Sequence, residues 1–286
     1  MKSFKRMLVT LLALLPLVTG VAFAGTEHGY SRIFIFGASF MDSGNHFAVT
    51  GETAHPPFEF ITFASYGVGG HRPTNGHTWV EVLAQEMGLT EWAKPAYRDP
   101  AYGNYAFSFG RAREVANPIG KSLSTQVNDW IANDYCTGIP MNDTLFIVDS
   151  GYADLLDILT APDEAAVKAI MGEMTASIGT NIGILYGCGA RNLLFAYLMP
   201  AESAPISSQM PTTSEPPPVS LSWIYNFLYL KPYAIDVLPG DMKVYTVDFY
   251  TDVTEVLTTP EDFGFTNVTD SCVMPGVIAN AFCKDR

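Results

Sequence analysis

The chain has few cationic residues, few cysteines and no histidine beyond its first third. Its 286 residues include 16 Lys and Arg against 29 Asp and Glu, which gives a net charge of −13. An excess of negative charge repels phosphate backbones and anionic lipid headgroups. We therefore expect no nucleic-acid partner and no attraction to anionic lipid surfaces.

The few cysteines argue against a metal centre. They form no CxxC unit and have no histidines close by in the sequence. Because zinc sites use ligands at such short spacings, we expect no metal. We also expect no cofactor, because no glycine-rich phosphate-binding motif follows a predicted strand. Three disulfide pairings of the four cysteines are possible. The four are Cys136, Cys188, Cys272 and Cys283, and the last two, which lie close in sequence, are the first candidate pair.

Long apolar runs are confined to the amino terminus. Basic residues within 2–6 precede the mostly apolar residues 7–22, and Ala22-Phe23-Ala24 is an A-x-A cleavage pattern. This order predicts a secretory signal peptide over 1–24 and an exported protein, either secreted or periplasmic. An uncleaved membrane anchor is the alternative. No later segment is long and apolar enough to span a membrane, and residues 25–286 are expected to form a single domain.

Patterns that predict strands alternate with patterns that predict helices. Strands are predicted at 33–36, 105–109, 145–148, 192–198 and 244–247, and helices at 78–87, 122–135, 163–186, 221–230 and 250–257. Pro232 is expected to end or kink the fourth helix. Such alternation is typical of an α/β fold with a mostly parallel sheet between two helix layers. Ligands of these sheets bind at the carboxyl ends of the strands.

One strand end carries a candidate nucleophile. Residues 33–45 read IFIFGASFMDSGN, so an apolar run stops at Gly37 and Ser39 follows at once. Glycine permits a tight turn, and α/β hydrolytic folds expose a nucleophilic serine at such a turn. The alternative is an ordinary loop rich in Ser, Gly and Asn.

The same stretch resembles the first sequence block of the GDSL (or SGNH) family of serine esterases and lipases, which reads F-G-D-S-hydrophobic-x-D-x-G-N. Ser39, Asp42 and Asn45 fall in register, whereas Ala38 stands where the family has aspartate. Segments 72–80, 104–113, 122–127, 187–192 and 263–269 resemble later family segments in order and spacing. The resemblance implies a flavodoxin-like three-layer α/β/α fold of the SGNH-hydrolase type. It also implies hydrolysis of lipid or other acyl esters by Ser39.

The resemblance further implies the groups that stabilise the oxyanion. They are the Ser39 amide, the amide of Gly110, and an asparagine side chain in a G-x-N-D segment. The matching segment here is Gly151-Tyr152-Ala153-Asp154, in which Ala153 has no hydrogen-bond donor to replace that asparagine. We therefore expect one oxyanion contact to be missing, and Ala38 and Ala153 to be degenerate family positions.

The resemblance places the catalytic base in a D-x-x-H segment near the carboxyl terminus. The five histidines are His28, His46, His55, His71 and His77, and no D-x-x-H occurs in the sequence. Glu52 and His55 have the spacing but fall in an early loop. We expect a carboxyl terminus that is incomplete relative to the family and a chain that is impaired in catalysis. A non-catalytic binding or accessory protein is the alternative function, and the oligomeric state is left open.

Overall fold

The computed structural model describes residues 29–51, 72–74, 76–116, 118, 120–204 and 220–270. The predicted signal peptide and the candidate cysteine pair 272 and 283 lie outside these ranges. The described part contains a four-stranded sheet formed by β1 (Arg32–Gly37), β2 (Thr144–Asp149), β3 (Asn192–Ala196) and β4 (Lys243–Val247). All neighbouring pairs are parallel and the strand order is β1-β2-β3-β4.

Helices connect these strands. They are α1 (Asn45–Thr50), α2 (Trp79–Glu86), α3 (Leu123–Ala132), α4 (Tyr152–Leu159), α5 (Glu164–Gly187), α6 (Leu221–Ile224) and α7 (Phe249–Thr258). Short 3₁₀ turns cover Ser39–Met41, Thr90–Ala93, Ala201–Ser203 and Pro260–Phe263. No helix in the described ranges is long and apolar enough to cross a membrane.

Alternating side chains of β1, β2 and β3 are buried on both faces of the sheet, whereas β4 is mostly exposed. Phe34 and Phe146 belong to the larger core, which packs against α3 and α5, whereas Ile35 and Ile147 belong to a second core against α2. Every residue of β2 is buried, as expected for a central parallel strand covered on both faces. The three-layer α/β/α prediction is therefore confirmed.

Side-chain caps explain where three of these helices begin. Thr78 and Glu81 form a reciprocal capping box at the start of α2. The Ser122 hydroxyl accepts the Thr125 N–H at the start of α3, and the Asp163 carboxylate accepts the Ala166 N–H at the start of α5. Each cap supplies an acceptor to an otherwise unpaired amide of a first helical turn.

The strand predicted over 105–109 does not form as a regular strand. The backbone hydrogen-bonds along the free edge of β1, where the Tyr105 amide donates to Ile35 (2.8 Å) and the Phe107 amide donates to Gly37 (2.9 Å). Phe109 then takes a left-handed conformation with φ 61°, which ends the extended path. The segment nevertheless lies beside β1 as a fifth, irregular edge.

Pro232 does not end the helix that precedes it. After α6 the chain continues as a wide π-type helix over Tyr225–Ile235, with Pro232 inside it. A π-type turn changes which carbonyls the amides reach, so a residue without an N–H is tolerated within it. Of the two expected effects of Pro232, an end or a kink, the end does not occur, because the helix continues in the wider pairing to Ile235.

A disulfide joins Cys136, which follows α3, to Cys188, which follows α5. This bond fixes the ends of two helices that pack on the same face of the sheet. The predicted pairing of Cys272 with Cys283 falls outside the described ranges and stays a prediction.

Candidate active site

Ser39 lies where β1 leaves the sheet. It opens the 3₁₀ turn Ser39–Met41 at the carboxyl edge and is partly exposed. Its Oγ accepts a hydrogen bond from the Phe109 amide at 3.3 Å. The serine hydroxyl therefore faces a backbone N–H, a donor type that stabilises negative charge on oxygen.

Close packing at Gly37 fixes the strand end before Ser39. A Cβ at Gly37 would lie 1.9 Å from the carbonyl oxygen of Asp149, so only glycine fits between the strands. The Gln126 side chain accepts the Gly37 N–H at 2.8 Å and donates to the Gly37 carbonyl at 2.9 Å. Both backbone groups of Gly37 are thus paired by one amide, which holds the turn rigidly.

A buried carboxylate anchors the loop after Ser39. Asp42 is fully buried and accepts the amides of Gly44 (2.8 Å) and Asn45 (2.6 Å). It also accepts the amide and the hydroxyl of Ser108, both at 2.7 Å. Burial raises the pKa of Asp42, while the hydrogen bonds from Ser108, Gly44 and Asn45 act in the opposite direction. Asp42 therefore links the Ser39 loop directly to the segment that carries Phe109.

Two buried asparagines strengthen the same link. The Asn45 amide donates to the carbonyls of Asn104 (2.7 Å) and Ala106 (2.8 Å), and its oxygen accepts the Tyr97 N–H. The Asn104 amide donates to the Met41 carbonyl at 2.8 Å. Each side chain satisfies backbone groups that sheet pairing leaves unpaired.

The structure brings Phe109, rather than Gly110, to the serine. The Gly110 amide donates to the Phe107 carbonyl at 2.9 Å and closes a turn. The Phe109 amide is the one that reaches Ser39 Oγ. A register signal was available in the sequence, because counting the N-[FY]-A-x-G-G-A pattern from Asn104 places its two glycines on Ser108 and Phe109.

The third segment begins α4. Ala153 is buried near the start of this helix and presents a methyl group. Asp154 is fully buried, accepts the Ala112 amide at 2.7 Å and lies 3.1 Å from the Arg113 guanidinium. Burial raises the pKa of Asp154 to about 7, against the lowering effects of the Ala112 amide and the Arg113 charge. Asp154 ties α4 to the loop that follows Phe109.

Asp149 lies beside the Ser39 turn and was not predicted from the sequence as a site residue. It ends β2 with 1% of its surface exposed, and its backbone carbonyl accepts the Ala38 amide at 3.2 Å. Its Oδ1 and the neighbouring Ser150 Oγ have no hydrogen-bond partner in the described structure. Burial alone raises the pKa of Asp149 well above its usual range. The sequence signal that could have identified Asp149 is its position as the last residue of a mostly apolar strand.

Two of the histidines fall within the described ranges. His46 is buried on α1, and its ring contacts Phe107 and Phe109 at centroid distances of 5.3 and 5.6 Å. His77 is exposed, with Nδ1 3.4 Å from Glu81. His28, His55 and His71 lie outside those ranges. No group of three metal-ligating side chains occurs among the residues that the structure describes.

The parallel sheet between helix layers, with a serine turn at its carboxyl edge, defines an α/β protein of the SGNH-hydrolase fold class. No family model matches the chain. One GDSL esterase/lipase of Arabidopsis thaliana is 22% identical over 93% of this chain and 83% of its own length. A second from the same plant is 24% identical over 90% of this chain and 78% of its own length. Over most of its length the chain is therefore similar to GDSL esterases/lipases.

Proposed function

We propose that the chain hydrolyses carboxylic esters through Ser39, more slowly than an enzyme that has the catalytic base and all the oxyanion donors. The observation that carries the proposal is the 3.3 Å contact between the Phe109 amide and Ser39 Oγ. Asp42, which bonds both loops, holds these groups together. In the reaction Ser39 Oγ would bond to the ester carbonyl carbon and lose its proton as the alcohol departs. Water would then release the acid.

We place two amides in the oxyanion site, those of Ser39 and Phe109. The Phe109 amide takes the role first expected of Gly110, whose N–H is engaged with Phe107. The third position, Ala153, offers no donor. Loss of one such donor costs serine hydrolases about 10²- to 10³-fold in turnover.

The proton acceptor for Ser39 is not assigned among the described residues. The sequence holds no D-x-x-H, the segment that supplies the base in the family it resembles. Sites without a complete triad retain about 10³- to 10⁴-fold acceleration over water from the oxyanion site and binding alone. The expected activity is therefore weak and dependent on Ser39.

A non-catalytic binding or accessory protein is the second candidate function. The replacements at Ala38 and Ala153 favour it, because both fall at positions where the resembling family has polar side chains. On this alternative Ser39 is retained for its place in the fold, and its hydroxyl has no chemical role.

Hydrolysis of p-nitrophenyl acetate and longer esters separates the two functions. We expect slow turnover above background that disappears in Ser39→Ala. Ser203→Ala is the matched control, since Ser203 is an exposed serine of the turn that follows β3. Equal rates for wild type and Ser39→Ala, with both chains folded, would favour the non-catalytic function.

We also propose that the chain is exported and that its leader is cleaved near Ala24. The disulfide between Cys136 and Cys188 supports this, because structural disulfides persist in oxidising compartments. Amino-terminal sequencing of the protein recovered from its source is the test. A mature chain that still begins at Met1 would contradict the proposal.

A further inference from the structure

An exposed aromatic ring lies directly beside the proposed nucleophile. Phe40 follows Ser39 in the same 3₁₀ turn, and 44% of its surface is exposed. Phenylalanine is more often buried, since removing an apolar ring from water contributes favourably to stability. Its position beside a reactive serine therefore points to an apolar group that covers it.

A second ring supports Phe40 from behind. Phe40 and Tyr152 meet edge to face with their centroids 4.6 Å apart. Tyr152 is 9% exposed, and its hydroxyl accepts the Met199 amide at 2.9 Å. Because this hydrogen bond and the packing fix Tyr152, the pair presents a preformed apolar surface, which reduces the ordering cost of binding.

Charged groups near this surface are withdrawn from solvent. Asp42 is enclosed by amide and hydroxyl donors, and Asp154, a buried residue of α4, is paired with Arg113. The adjacent Ala153 is small and apolar. The surface next to Ser39 is thus suited to an apolar group. Neither Asp42 nor Asp154 is available there as a charged partner for a polar ligand group.

We propose that Phe40, supported by Tyr152, binds the apolar acyl group of the ester and selects bulky acyl chains over acetyl. This inference rests on the proposed function, because it needs Ser39 to attack the ester. It names the substrate class as esters with a medium-length or larger apolar acyl group. Phe40 is then a specificity-determining residue.

Phosphonate labelling tests the inference without requiring turnover. Methyl- and hexyl-phosphonate p-nitrophenyl esters are reacted with wild type, and mass spectrometry measures the modified Ser39. The Oγ–P bond forms, p-nitrophenolate leaves and the hydroxyl proton passes to solvent. Since each buried methylene contributes up to about a fourfold factor, we expect hexyl to react about tenfold faster on this half-open surface.

Variants assign that preference to one residue. We expect Phe40→Ala to lose the hexyl preference and Phe40→Leu to retain part of it. Phe263→Ala, which removes a ring of similar exposure from another 3₁₀ turn, Pro260–Phe263, is expected to leave the preference unchanged. Circular dichroism establishes that each variant is folded.

The outcomes separate this inference from the proposed function. Labelling can need Ser39 and yet show no chain-length preference, or the preference can survive in Phe40→Ala. Either result would overturn the role of Phe40 and leave Ser39 as the nucleophile. Absence of any labelling that depends on Ser39 would overturn both. A preference lost only in the Phe40 variants supports both.

Discussion

The Asp149 carboxyl is expected to make the stability of the chain depend on pH. It is buried at the end of β2, and its Oδ1 has no partner within the described structure. Because burial raises its folded pKa above the unfolded value of about 3.9, the unfolded chain releases the proton first. The stability contributed by the neutral carboxyl is therefore lost as the pH rises from about 4 through the folded pKa.

The perturbation that removes this titration is Asp149→Asn. Asparagine has nearly the same shape but no charge, so the cost of an ionised buried carboxylate disappears. An unpaired buried polar group costs about 1–3 kcal/mol, and more when it is charged. We expect Asp149→Asn to raise the free energy of unfolding by about 1–3 kcal/mol at pH 8 and to change it little at pH 4.

Urea denaturation at both pH values measures this difference. Asp134→Asn is the control, since Asp134 is exposed and its left-handed backbone, with φ 61°, accepts asparagine equally well. The control is expected to show no comparable gain at pH 8. The reasoning is refuted if Asp149→Asn is equally or less stable than wild type at pH 8, with the two-state slope unchanged.

Three further perturbations test how the Ser39 turn and the fold are held. Gln126→Ala removes the acceptor of the buried Gly37 N–H, while the Gly37 carbonyl keeps its bond from the Phe107 amide, and is expected to lower the free energy of unfolding by about 1–3 kcal/mol in urea titrations; a loss below 0.5 kcal/mol would contradict the bonding described. Asp42→Ala removes the acceptor that joins the two loops, and we expect a similar loss with Ser39 labelling abolished; undiminished labelling would show that Asp42 does not position Ser39. Replacing Cys136 and Cys188 by serine opens a loop of 52 residues and is expected to cost about 2–4 kcal/mol, whereas an unchanged unfolding midpoint would refute it.

Much of the fold could be predicted because apolar periodicity follows burial. The strand pattern at 145–148 lies within β2, and the helix pattern at 163–186 lies within one residue of α5 at each end. Local rules failed where long-range contacts decide the backbone. The left-handed turn at Phe109 and the wide helix around Pro232 depend on packing that no local pattern encodes.

The site was predictable to a similar extent. Gly37 and Ser39 at the end of an apolar run identified the turn, because glycine permits the chain to turn tightly where a strand ends. The partners of Ser39 come from segments about 70 residues or more away, and their exact register decides which amide points inward. A shift of one residue separates Gly110 from Phe109; counting from Asn104 favours Phe109, whereas the glycine itself favours Gly110, and the backbone geometry decides between them. The α4 helix was not predicted, nor was the buried state of Asp149.

The measurement that tests the account most directly is ester hydrolysis by Ala153→Asn. If Ser39 attacks esters and the site lacks only one side-chain donor on the α4 side, an amide at this position restores the missing oxyanion contact. We predict a rise in kcat of about ten- to a hundredfold with little change in KM, and no rise in the double variant that also carries Ser39→Ala. A folded Ala153→Asn protein with no gain, or a gain that persists without Ser39, would contradict the central claim.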